Sequence, residues 1–168
     1  MNKFLLDTNI VFYYLFTNIR ERIHSYLTLN DYVLFSSLCY TELLKIIKLD
    51  IHTLASVEYS QLIHRSEYFK FVPRLDTYNE EIIQIIERYS MLRGETSKKR
   101  RKRDLSFADA ELIFIAKNTD SILLTNDSYI IECCRRENVQ SNNPILDLRN
   151  SIYLLEEFDC RSPNFKYL

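Results

Sequence analysis

Three short apolar runs in this chain each stop at polar residues, and apolar residues at helical spacing follow. Phe4-Leu5-Leu6 ends at Asp7-Thr8-Asn9, after which Ile10, Val11, Tyr14 and Leu15 recur as on one side of a helix. Tyr32-Val33-Leu34-Phe35 ends at Ser36-Ser37 and is followed by Cys39, Leu43, Ile46 and Ile47, while Ile122-Leu123-Leu124 ends at Thr125-Asn126-Asp127 and leads into a helix over residues 127–136. A fourth run, Phe69-Lys70-Phe71-Val72, is halted by Pro73. Strands alternating with helices in this way predict an α/β fold: a mainly parallel central sheet of four to five strands, helices on both faces, and right-handed crossovers.

The remaining elements fill the gaps between strands. Helical spacing predicts helices over residues 20–29, 53–69 and 78–92, with Ile82, Ile83, Ile85, Ile86 and Tyr89 giving the last its apolar content. Thr8 or Asn9 is a plausible cap for the first helix, leaving Asp7 at the end of its strand. Residues 105–116 read as a capped helix, because Ser106 is followed three residues on by Asp109, and Phe107, Ala110, Ile113 and Phe114 share a face. Asn118 is expected in the left-handed position that closes it. Residues 152–155 read as a final strand. The expected organisation is one domain over residues 1–155, with a basic loop at 93–104 inside it and a C-terminal tail at 156–168.

Composition narrows the class. A chain of 168 residues with 46% hydrophobic content supplies one core. With 27% charged residues and no long apolar run, a soluble, cytoplasmic protein without a membrane span is expected. The apolar start is interrupted by Asp7-Thr8-Asn9 and lacks a small-residue cleavage site, so it does not read as a signal peptide. Cys39, Cys133, Cys134 and Cys160 have no C-x-x-C spacing and read as reduced packing residues. The single glycine, Gly94, excludes glycine-rich phosphate loops.

The net charge of -1 hides an asymmetry. Lys98, Lys99, Arg100, Arg101, Lys102 and Arg103 are six of the 22 basic residues, and the other 16 stand against 23 acids, leaving the rest of the chain at -7. This block is expected to be a solvated segment delivering the chain into the Ser106 helix. It reads either as an arm that neutralises the backbone phosphates of a nucleic acid or as a surface loop covered by an acidic partner. No aromatic interrupts it, which argues against base stacking there.

In a parallel α/β sheet, the loops after the strands meet at one edge. Asp7, Glu42, Asp109 and Asp127 are therefore expected to converge although far apart in sequence. Carboxylates so gathered repel unless a hard cation such as Mg²⁺ or Mn²⁺ joins them, and such a cation supports hydrolysis of a nucleic-acid phosphodiester. Each acid also has a structural reading: Asp109 in a capping box with Ser106, Asp127 at a helix N-terminus, Glu42 paired with Lys45, Asp7 merely ending a strand. Asp104 reads as a partner of the basic block, and Glu111 as a solvated helix residue. His24, His52 and His64 lack ligand spacing.

At these residues the sequence resembles the PIN-domain ribonuclease family, including its VapC-type toxins. Phe4-Leu5-Leu6-Asp7-Thr8-Asn9 is similar to the family's opening strand and first acid, and Thr41-Glu42-Leu43 to its helical glutamate. Leu105-Ser106-Phe107-Ala108-Asp109-Ala110 resembles its third acidic motif and Leu124-Thr125-Asn126-Asp127 its fourth. The resemblance implies a metal-dependent endoribonuclease, the toxin of a type II toxin–antitoxin pair and a homodimer. It assigns Mg²⁺ or Mn²⁺ to Asp7, Asp109 and Asp127, places Glu42 on the metal or its water, and makes Asn9 and Thr125 supporting groups. Asn126 stands where some relatives carry another acid. The basic insertion, the scarcity of glycine and the longer C-terminal region depart from the family pattern.

Two other readings remain open. One is a non-catalytic PIN-like module that binds RNA or protein, its acids serving only as caps. The other is a different nuclease of the same chemistry, either one that matures ribosomal RNA, disfavoured by the lack of a paired-cysteine zinc module, or a DNA-directed 5′ nuclease.

Overall fold

The computed structural model describes residues 2–25, 32–50, 69–72, 78–96 and 105–148. Strand β1 (Lys3–Leu6) leads into helices α1 (Thr8–Phe16) and α2 (Arg20–His24). Strand β2 (Tyr32–Ser36) leads into α3 (Ser37–Asp50), and β3 (Phe69–Val72) precedes α4 (Asn79–Thr96). Helix α5 (Phe107–Thr119), strand β4 (Ile122–Leu124), helix α6 (Ser128–Arg136) and strand β5 (Ser141–Asn142) complete the order. The expected helix at 53–69, the strand at 152–155, the tail, Asp104 and the basic block lie outside the described residues.

The five strands among the described residues are all parallel, in the order β3-β2-β1-β4-β5. From β1 the chain steps outward to β2 and β3, then crosses to β4 and steps the other way to β5. In a parallel sheet of this order, the right-handed crossovers that such connections favour put helices after β1 and β2 on one face and those around β4 on the other. Accordingly, α1 packs on α2 and α3, while α5 packs on α4 and α6. With both faces covered, Leu5, Leu6, Leu123 and Leu124 are fully buried, which is why these strands are unbroken apolar runs. The reversal of direction between β1 and β4 opens a crevice at their carboxyl ends.

Several local expectations are corrected. Asp7, not Thr8 or Asn9, occupies the N-cap of α1, yet its side chain makes no capping hydrogen bond. Helix α4 continues through Gly94 to Thr96, shortening the expected loop at 93–104 from its N-terminal side. The left-handed residue after α5 is Asp120, at φ 52°, because Asn118 is still helical and donates its Nδ2 to the Phe114 carbonyl. Glu111 is buried instead of solvated: α5 is enclosed by the sheet, α4 and α6, so six of its other residues are buried as well. Strand β5, in a stretch with no apolar run, holds its place through backbone bonds, with Leu123 donating to Gln140 and Thr125 to Asn142.

Cys39, Cys133 and Cys134 are buried thiols. Burial, followed by the nearby Asp7 charge, pushes the Cys39 thiol up to about 12, so it stays neutral and is no nucleophile. No described helix is long and apolar enough to cross a membrane.

Away from the crevice, a buried carboxylate ties three helices together. Glu137, only 8% exposed, receives Arg88 from α4 at 2.9 Å and Lys117 from α5 at 2.8 Å, with Tyr89 donating its hydroxyl at 3.0 Å. Burial alone would raise the Glu137 carboxyl, but the bonds from Lys117, Arg88 and Tyr89 outweigh it and hold it below its ordinary range. Glu137→Ala removes the carboxylate that accepts from all three donors, and the unfolding free energy should fall by about 1–3 kcal/mol. A lowered urea midpoint at constant slope is the expected reading, and an unmoved midpoint would show that the cluster adds nothing.

Candidate active site

The elements that end at the crevice bring their acids to one cavity of about 390 Å³. Its lining includes Asp7, Thr8 and Asn9 from the start of α1, Glu42, Lys45 and Ile46 from α3, Ser106 and Asp109 at the start of α5, and Asp127 and Ile130 at the start of α6. The four acids singled out from the sequence are therefore together. Lys45, Ile46, Ser106 and Ile130 were not foreseen as cavity residues. Their signal was spacing: Lys45 and Ile46 follow Glu42 by three and four residues, and Ile130 follows Asp127 by three.

Each acid is oriented by a defined hydrogen bond. Asp7, 5% exposed, accepts from Thr125 Oγ1 at 2.7 Å, and the same hydroxyl receives the Asp127 backbone N–H at 3.1 Å. Thr125 thus joins the ends of β1 and β4, and β5 steadies it through its own N–H. Glu42 Oε2 accepts from Thr8 Oγ1 at 2.8 Å. No ion pair joins Glu42 to Lys45 among the described residues, so the helix-face pairing expected for them does not form: Glu42 turns inward to a hydroxyl on α1, and Lys45 remains exposed.

Asp109 and Asp127 carry the capping roles read from the sequence while still lining the cavity. Ser106 Oγ accepts from the Asp109 N–H at 3.1 Å, and Asp109 Oδ2 accepts from the Ser106 N–H at 3.2 Å. Asp127 caps α6 by accepting from the Tyr129 N–H at 2.8 Å. Asn9 donates to Asn126 Oδ1 at 3.3 Å, linking the loops that follow β1 and β4. Three helix N-termini, those of α1, α5 and α6, therefore face the acids, and their partial positive charge offsets some of the repulsion.

The offset is incomplete at Asp7. Burial, then the charges of Asp109, Glu42 and Asp127, raise its carboxyl from 3.8 to about 7 against the lowering effect of the Thr125 bond. A cation beside Asp7 would relieve this. The donors are all carboxylate oxygens, the set suited to a hard divalent ion. Among the described residues no three His, Cys, Asp or Glu side chains are already grouped to hold a metal. An ion that keeps several of its waters does not require such a group, so the donor set fits.

A carboxyl whose folded pKa lies above its unfolded value binds a proton on folding. The stability tied to Asp7 is therefore fully present below about 4 and is lost as pH rises through about 7. Asp7→Asn keeps an acceptor for Thr125 without the charge. In chelator at pH 8 it should melt on the order of 5 °C above the unaltered protein, and the gap should narrow at pH 5. Thermal melts across that range check this; a variant less stable at pH 8 contradicts the burial argument.

The sequence pattern of the PIN domain family matches residues 4–135. The fold is similar to a structure described as FitAB bound to IR36 DNA fragment, at 21% identity and TM-score 0.61, covering 84% of this chain and 94% of that one. It is also similar to FitAcB from Neisseria gonorrhoeae, at 22% identity and TM-score 0.61, covering 84% and 97%. A third similar structure is VapBC2 from Rickettsia felis bound to a DNA fragment from their promoter, at 16% identity and TM-score 0.59, covering 84% and 98%. At these identities the likeness concerns the fold. No curated protein sequence matches this chain. The family match spans the strands β1 to β4 and all four cavity acids, and the chain belongs to the PIN domain family.

Proposed function

We propose that this protein is a divalent-metal-dependent endoribonuclease that hydrolyses RNA phosphodiester bonds, and that it is the toxin of a type II toxin–antitoxin pair. The observation that carries this is the gathering of Asp7, Glu42, Asp109 and Asp127 from four separate elements into one cavity, with Asp7 buried and its carboxyl raised. Asp7, Asp109 and Asp127 would hold Mg²⁺ or Mn²⁺, with Glu42 acting on the metal or on its water. When bound, such an ion neutralises phosphate charge and makes water a better nucleophile.

The chain's own residues do the positioning. Thr125 holds Asp7 toward Asp127, Thr8 holds Glu42 toward the cavity, and the Ser106 capping box fixes Asp109. Asn9 and Asn126 support the two loops through their mutual bond. The basic block of Lys98, Lys99, Arg100, Arg101, Lys102 and Arg103 lies in sequence just before Ser106, and we assign it to RNA phosphates. The VapC-type resemblance and the likeness to the FitAB and VapBC2 structures support an antitoxin partner; the resemblance alone implies a homodimer, and we assign the protein to the cytoplasm.

One observation favours a second reading. Each acid already has a hydrogen-bonding role, and no three are grouped for a metal among the described residues, as a non-catalytic binding module would have it. A Mn²⁺ titration by calorimetry separates the two: the nuclease binds the ion, and Asp7→Asn or Asp109→Asn weakens that binding.

For the enzyme, purified protein should cut RNA in Mg²⁺ or Mn²⁺ in preference to DNA of equal structure and stop in chelator. Asp109→Asn should lower the rate by about a hundredfold or more at an unchanged fold, and Thr125→Val by about 10–100-fold through loss of support for Asp7. Undiminished cutting by clean Asp109→Asn protein would overturn the proposal.

A further inference from the structure

Among the described residues, Lys45 is the one basic residue lining the acidic cavity. It follows Glu42 by three residues on α3, a rise of about 5 Å along the same helix face. Asp7 is buried, Glu42 half-buried and Lys45 exposed, so the ammonium belongs to the mouth of the cavity while the acids lie deeper. Nothing among the described residues claims it: Glu42 Oε2 accepts from Thr8, Asp7 Oδ2 from Thr125, Asp109 Oδ2 from Ser106 and Asp127 Oδ1 from Tyr129. An exposed lysine–carboxylate pair contributes less than about 1 kcal/mol in any case, too little to hold the side chain down.

A polyanion entering this cavity meets four carboxylates, and a cation at the rim offsets that repulsion for the part of the chain that does not react. We propose that Lys45 binds a backbone phosphate of the RNA adjacent to the bond that is cut, a contact that rests on the ribonuclease reading above. Lysine suits this as a mobile point charge, and the contact carries no base preference. Lys45 is thus a substrate-binding residue, distinct from the acids in acting on affinity.

The test has a binding arm and a turnover arm. In the first, a fluorescein-labelled RNA hairpin is titrated with full-length Asp109→Asn protein in Mg²⁺, with and without Lys45→Ala or Lys45→Arg, and Kd is read by anisotropy over a range of salt. Lys45→Ala should weaken binding about tenfold and reduce the slope of log Kd against log salt by about 0.7, while Lys45→Arg stays within about twofold. In the second, Lys45→Ala in the otherwise unaltered protein should raise KM about tenfold with kcat within about twofold. Equal affinity and slope for the alanine variant, or a loss confined to kcat, overturns the contact. Lys45-dependent binding without cleavage by the unaltered protein would overturn the ribonuclease reading and, with it, the placing of the contact beside a cut bond, leaving only an RNA-phosphate contact. Cleavage with Lys45-independent binding would remove the contact alone.

Discussion

Mutual repulsion among carboxylates is the constraint that this structure is built to withstand. Asp7, Glu42, Asp109 and Asp127 share a cavity, and unopposed like charges at that density would force its walls apart. The fold opposes them with the N-termini of α1, α5 and α6 and with hydroxyl and amide donors at each acid. Asp7 bears the remainder. It takes the N-cap position of α1 but accepts from Thr125 instead of from the helix, so it is fixed deep in the cavity, where burial disfavours its charge.

The topology explains why such different parts of the chain meet there. Strands β1 and β4 are neighbours whose following segments leave the sheet in opposite directions, so the ends of both are free to face each other. The Asp7 N–H donates to the Leu124 carbonyl at 3.0 Å, which continues the ladder by one residue before the chains diverge. Thr125 then bridges the gap that opens. The bland and the functional readings of these acids are compatible: Asp109 and Asp127 cap helices, which holds them in place, and both line the cavity.

Much of this was legible in the sequence because burial on both sides of a sheet leaves a plain mark. Phe4-Leu5-Leu6 and Ile122-Leu123-Leu124 can be little else than central strands, and the polar residues that stop them sit at the site. What was not legible had no local signal. Strand β5 is Ser141–Asn142, paired through backbone atoms that every residue possesses. Gly94 lies inside α4 although glycine more often ends a helix, and Asp120 takes the left-handed turn that Asn118 suited equally well. Glu111 is buried because three neighbours surround α5, and its periodicity could not report how many neighbours there would be. Glu42 is matched to Thr8 across 34 residues, a choice that no helix-face rule contains.

The Glu137 cluster stands at the other end of α5 and α6 from the acids. Lys117 lies in the last turn of α5, Glu137 directly follows α6, and the N-termini of both helices carry Asp109 and Asp127. Nine residues of α6 span about 14 Å, so a rigid α6 carries the Glu137 pin at one end and Asp127 at the other. A tilt of a few degrees there moves the far tip by about 1 Å, the scale on which reactive alignment is won or lost. Changes at Arg88, Tyr89 or Lys117 therefore bear on the far ends of helices whose N-termini line the cavity, although none of the three is among the described residues lining it.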